Sequence, residues 1–279
     1  MRAMGLRLPQ LTAALKAALA AACAALVLTG CATPPRPTDG GTPANSSSRP
    51  PEPGDPDRRA RVRLELASLY FGRGQNDTAL AEINTALAAK PDLPDAYALR
   101  GLVQANMGDP RAAEESFQRA LALAPADGNT MHIYGWFLCQ ERRHPEAQVQ
   151  FEKAMAQPQY RDLVRTLLAQ GVCQARAGRW ADAERTLSRS YEMDSANPTT
   201  AFNLAEVLLR RGELERARFY VRRINAVPDQ VTAQSLWLAA RIERRTGNIE
   251  AMQDHGRQLR DRFPQAPETL QYERGRFDE

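Results

Sequence analysis

Four cysteines and three histidines are the side chains of this sequence best suited to chemistry, and their spacing decides which chemistry. His132, His144 and His255 have no Ser, Cys or carboxylate at a spacing that would build a nucleophile–base–acid triad. His144 falls in a turn, where a solvated imidazole is the simpler reading. Cys139 precedes it by five positions, but there is no C-x-x-C pair and no second histidine close by, so no metal site is expected. No glycine-rich phosphate loop is present either. These absences point to a non-enzymatic chain without cofactor, metal or small-molecule substrate.

The remaining thiol chemistry lies near the N-terminus. Residues 1–30 carry Arg2, Arg7 and Lys16, no acidic residue, and an apolar run from Ala17 to Leu28. A basic start and a short apolar core describe a secretory signal. The run is about 12 residues, short of the roughly 20 that a spanning helix needs. It ends in Leu28-Thr29-Gly30-Cys31, which resembles the lipobox of bacterial lipoproteins. That resemblance implies cleavage before Cys31, a diacylglycerol on its thiol and an acylated new amine. Each buried methylene adds about 0.8 kcal/mol, so three chains make a permanent membrane anchor. Ala32 follows, with no Asp to signal inner-membrane retention. The implied destination is the inner leaflet of the outer membrane, facing the periplasm.

Loss of the signal lowers the formal charge of +4 by three, to +1. The arginines are spread singly along the chain without an obvious basic stripe, so nucleic acid is not an expected partner. From 31 to 59 the composition changes: Pro34, Pro35, Pro37, Pro43, Pro50, Pro51, Pro53 and Pro56 mix with Gly, Ser, Thr and Asn. Too little apolar surface is present to offset ordering, so this segment reads as a disordered tether. At roughly 3.1 Å per residue it would reach some tens of ångströms.

The rest repeats itself. Ala79, Ala113 and Ala147 are 34 apart, as are Ile83, Phe117 and Phe151, and Ala86, Ala120 and Ala154. Small residues recur upstream at Ala67, Gly101, Gly135, Gly171, Ala205 and Ala240. Seven positions after them come Gly74, Gly108, Gly178, Gly212 and Gly247, with Arg142 in the third unit. The pattern resembles the tetratricopeptide repeat, two antiparallel helices per unit. It implies an all-α, right-handed superhelix (an α-solenoid) of about six helix pairs: 60–93, 94–127, 128–163, 164–197, 198–232 and a degenerate 233–266, with a polar C-terminal tail at 267–279. Small residues allow close backbone approach, the larger residue such as Phe117 fills the groove between units, and the turn glycine ends the first helix. In the sixth unit Met252 and Gly256 occupy the places of the small and large packing residues, which suits a capping unit or a partly unravelled one.

In such a stack the first helices line a concave face. Threading places Leu64, Ser68 and Phe71 there, then Leu102 and Asn106, then Asn129, His132 and Trp136, then Phe202 and Glu206, and finally Trp237 and Arg241. The apolar members suggest a protein-binding groove, against the plainer reading of Trp136 and Trp237 as packing residues. Cys139 and Cys173, one 34-residue period apart, fall on neighbouring first helices. An oxidising periplasm favours a disulfide between the third and fourth units, but the pair is offset by two positions within its units. Two buried free thiols are the other outcome.

Two stretches are more particular: Tyr134-Gly135-Trp136-Phe137-Leu138-Cys139 and Gly171-Val172-Cys173. With the lipobox, tether, six repeats and cysteine pair, they resemble the pilotins of type IV pili, the pilus biogenesis and stability lipoproteins. This resemblance implies that the partner is the secretin subunit of the type IV pilus, which the lipoprotein carries to the outer membrane and helps to multimerise. The alternative is a repeat lipoprotein adaptor for outer-membrane protein insertion or cell-envelope assembly, including an accessory role in envelope polysaccharide synthesis.

Overall fold

The computed structural model describes residues 55–277; the signal, Cys31 and most of the tether lie outside the described residues. Thirteen α-helices and one 3-10 turn, Pro228–Gln230, are present, and no strand occurs among the described residues. They form six antiparallel pairs and a closing helix. The pairs are α1 (Pro56–Gly72) with α2 (Asn76–Ala89), α3 (Pro94–Asn106) with α4 (Pro110–Leu123), and α5 (Gly128–Gln140) with α6 (His144–Met155). Next come α7 (Leu163–Arg176) with α8 (Trp180–Met193), α9 (Pro198–Arg210) with α10 (Leu214–Asn225), and α11 (Ala233–Arg245) with α12 (Ile249–Arg262). Helix α13 (Pro267–Glu273) follows.

Local sequence sets these boundaries. Pro94, Pro110 and Pro198 open their helices, where a missing N–H costs nothing. Asp109, Asp127 and Asn197 accept backbone N–H bonds as caps, and Thr232 with Ser235 makes a reciprocal capping box. Five of the six pairs turn through a glycine at φ between +72° and +80°, and the third turns through Arg142 at φ +61°.

Packing follows the repeat. Ala79, Ala113, Ala147, Ala183 and Ala217 are fully buried between paired helices. A methyl added at Gly101 would meet the Phe117 ring at 2.7 Å, at Gly135 the Phe151 ring at 3.0 Å, and at Gly171 Leu187 at 2.6 Å. The small residue is therefore the seat of the large one. The core runs as a chain of clusters: Ile83 with Val103, Phe117 with Phe137 and Phe151, Leu187 with Leu204 and Leu208, and Leu236 with Leu259. First helices touch the first helices of adjacent units, whereas second helices touch first helices. In a curved stack, the layer whose members touch one another is the inner one.

Two places depart from the packing pattern of the repeat. The joint between the third and fourth units has two extra residues, and Tyr160 from that loop packs against Gly128, where a methyl would meet its ring at 2.7 Å. The sixth unit is a full helix pair. Its missing large residue is supplied from outside: a methyl at Gly256 would lie 2.0 Å from the Tyr272 ring of α13. The segment after 266 therefore differs from a polar tail, because Tyr272 and the buried Phe277 turn inward to cover the open end.

Candidate protein-binding face

The site follows from the small residue of each first helix. That residue faces the paired helix, so its successor, about 100° further round, faces the inner side. The successors are Ser68, Leu102, Trp136, Val172, Glu206 and Arg241. Four positions on lies a second row: Gly72, Asn106, Gln140, Arg176, Arg210 and Arg245.

The inner face is not uniform along the stack. In the first unit Leu64 and Phe71 are half-buried against the Ala67–Ile83 cluster, and exposed Ser68 donates its hydroxyl to the Leu64 carbonyl at 3.0 Å. In the second, Leu102 is half-buried and exposed Asn106 accepts from Asn76 Nδ2 at 2.8 Å. Half-buried Trp136 carries the Arg176 guanidinium 4.9 Å above its ring, a cation–π contact across the third joint. His132 is buried and does not face the groove: its Nδ1 is 2.8 Å from Thr166 Oγ1, which in turn lies 2.5 Å from the Tyr160 hydroxyl. Burial, assisted by Arg165, pushes its pKa down to about 4, so it is neutral.

Between the fourth and fifth units the face opens into a cavity of about 310 Å³. Half-buried Phe202 lines it with Val172 and Val207, and Arg176, Trp180, Glu206 and Arg210 complete the walls. An apolar floor with a cationic rim and one carboxylate can hold an extended peptide. Trp237 departs from the expected open groove: it is 6% exposed because Phe277 packs against it, its ring tilted, with the centroids 4.9 Å apart.

Sequence reasoning left out the fourth unit's share, Val172 and Arg176, and did not see the basic row. Arg176, Arg210 and Arg245 look scattered along the chain, but they recur at 34 and 35 residues, one per unit on the same helix face. Extending the rows through the 36-residue step between Gly135 and Gly171 would have found them.

The structure joins Cys139 to Cys173 in a disulfide with Cα atoms 5.8 Å apart. The two cysteines keep a 34-residue spacing across a 36-residue unit, so they meet diagonally between α5 and α7. His144 Nδ1 lies 3.5 Å from Cys173 Sγ and 4.0 Å from Cys139 Sγ. These three donors gather within 4.8 Å, but sulfurs bonded to each other are not thiolate ligands. Cys31, the lipidation residue expected from sequence, lies outside the described residues.

Comparison with known proteins supports the class that this geometry defines. Tetratricopeptide-repeat profiles match residues 66–133 and 174–241. The fold is thus an all-α tetratricopeptide-repeat solenoid. Among individual proteins, the chain is similar to the type IV pilus assembly protein PilF of Pseudomonas aeruginosa, with 26% identity over 219 residues, covering 78% of this chain and 86% of that protein. The crystal structure of PilW, described as a widely conserved type IV pilus biogenesis factor, superposes with a TM-score of 0.71 at 29% identity over 76% of this chain and 96% of PilW. The solved Pseudomonas aeruginosa PilF shares the fold, with a TM-score of 0.67 at 23% identity over 79% of this chain and 99% of that one. The chain therefore has the tetratricopeptide-repeat fold and is similar to type IV pilus assembly and biogenesis proteins.

Proposed function

We propose that this chain is a pilotin: an outer-membrane lipoprotein, acylated at Cys31 and facing the periplasm, that binds the type IV pilus secretin subunit and promotes its outer-membrane localisation and multimerisation. The likeness to PilF carries this reading, because it runs through 78% of the chain and 86% of the relative rather than through one or two shared repeats. The physical mechanism is escort. A secretin segment lies against the first-helix face, and the sorting of the acylated carrier brings the cargo along. The segment that precedes α1 serves as the tether and lets the repeat stack reach away from the membrane; residues 56–59, expected to belong to it, open that helix instead. The binding is protein–protein and needs neither cofactor nor catalysis.

The decisive experiment separates inner from outer membranes in a Cys31→Ser strain and follows the secretin on gels that preserve its multimer. The secretin should fail to reach the outer membrane and to form rings. Normal rings and normal twitching would rule the reading out. A pull-down from outer-membrane extract discriminates the alternatives: a barrel-assembly component would favour the adaptor role, and a polysaccharide synthase the accessory role.

A further inference from the structure

We propose that the inner face of the last three units binds an extended acidic segment of a partner protein, with one large apolar side chain of that segment seated in the cavity between the fourth and fifth units. This names the ligand chemistry of the face already assigned to protein binding; it rests on that assignment and not on the pilus.

The charge of the face changes along the stack. The first three units carry no charged residue on its two rows, whereas the last three carry Arg176, Glu206, Arg210, Arg241 and Arg245. The one carboxylate is already paired: Glu206 accepts from Arg241 at 3.0 Å, and Arg241 is only 9% exposed. The other three guanidiniums have no carboxylate partner among the described residues. Arg176 lies over the Trp136 ring, Arg245 donates to the Leu209 carbonyl at 2.7 Å, and exposed Arg210 makes no side-chain bond. In the turns and second helices, by contrast, Arg143 pairs with Glu114 and Glu146, and Arg218 with Glu215 and Glu243. A row of arginines with no acid to answer it inside the chain is complementary to acids brought from outside.

The cavity of about 310 Å³ supplies the second half of the recognition. Val172, Phe202 and Val207 make its apolar floor, and Arg176 and Arg210 both stand on its wall. An apolar side chain seated there would exclude water from the two guanidiniums, which strengthens their bonds to carboxylates. The geometry also sets a spacing. First helices of adjacent units touch, and packed helix axes lie about 8–10 Å apart. An extended chain advances about 3.3 Å per residue, so carboxylates facing successive arginines stand about three residues apart.

The test titrates the full chain by calorimetry with acetylated, amidated Glu-Pro-Leu-Glu-Pro-Ala-Glu, whose prolines keep it extended. Its isomer Leu-Pro-Ala-Pro-Glu-Glu-Glu has the same charge without the spacing. The spaced peptide should bind at least tenfold more tightly than the isomer, more weakly as salt rises, and not at all with Gln for Glu. Arg210→Glu should weaken it at least tenfold, while Arg111→Glu, the same charge change on α4, should leave it unaltered. Phe202→Ala should weaken it but should not affect a peptide with Ala for Leu. No binding, equal binding of the two isomers, or equal losses in the two arginine variants would overturn the proposal. If Arg210→Glu fails to fold, amide shifts in the wild-type chain keep the idea testable: they should map to α7, α9 and α11, and shifts confined to the first three units would overturn it. The Cys31→Ser strain tests escort without touching this face, so a failed titration beside a mislocalised secretin would remove the acidic ligand alone.

Discussion

At the level of single residues, two side chains sit in conditions that have a measurable cost. His132 is neutral in the fold because burial pushes its pKa down to about 4, against an ordinary 6.5. Its stabilising share is complete above pH 6.5 and is lost as the pH falls to 4, because the unfolded chain takes the proton first. Two and a half units correspond to about 3 kcal/mol. Unfolding free energy measured by denaturant at pH 7 and pH 4 should fall by that order, and His132→Gln should flatten much of the slope. His255, also lowered by burial, acts in the same direction and leaves a remainder. An equally steep loss in the variant would remove His132 from the account. Arg142 turns the third pair at φ +61° where the other pairs have glycine. A non-glycine residue there costs about 1–2 kcal/mol, partly offset by its lower unfolded-state entropy. Arg142→Gly should therefore raise stability by about 1 kcal/mol, seen as a higher melting temperature. The αL turn was legible from the repeat, because five glycines at the same offset name the conformation that Arg142 must adopt. The burial of His132 was not, because its partners Thr166 and Tyr160 come from the next unit and its lengthened loop.

At the level of elements, boundaries could be read because they are fixed locally. Prolines at helix starts, capping Asp and Asn residues and turn glycines all act within a few residues of their position in the chain. The sixth unit could not be read that way. Its Gly256 looks like decay of the repeat, yet it is the space that receives Tyr272, sixteen residues later and on another helix. Gly256→Ala would improve helix propensity by about 1 kcal/mol but would expel the ring. Losing an aromatic seat costs about 3–5 kcal/mol when burial is full, and Tyr272 is half-buried, so a net loss of about 2 kcal/mol is expected. In a Tyr272→Ala background the same substitution should be neutral or stabilising. A double-mutant cycle that showed simple additivity would mean that the two residues do not act as one contact.

Over the whole molecule, stability is distributed by joints, since each unit packs chiefly against its neighbours. The third joint is the irregular one, with two inserted residues, the Tyr160 plug and the Cys139–Cys173 bond. Its disulfide closes a loop of 34 residues, for which chain-entropy reasoning gives about 3–4 kcal/mol. The constraint acts on α6, which lies between the two cysteines, and on the helices α5 and α7 that carry them; it has no direct hold on the outer units. Replacing both cysteines by alanine should therefore accelerate hydrogen exchange in α5, α6 and α7 by several hundredfold, with α11 and α12 nearly unchanged. The weakened joint should also separate one cooperative melt into two, the first three units from the last three, because only the Trp136–Arg176 contact and the apolar packing then couple them. Uniform acceleration through all six units would show instead that the stack unfolds as one block and that the disulfide stabilises it globally. Reduction of the wild-type chain should reproduce the alanine result, which separates the effect of the bond from that of the side-chain change.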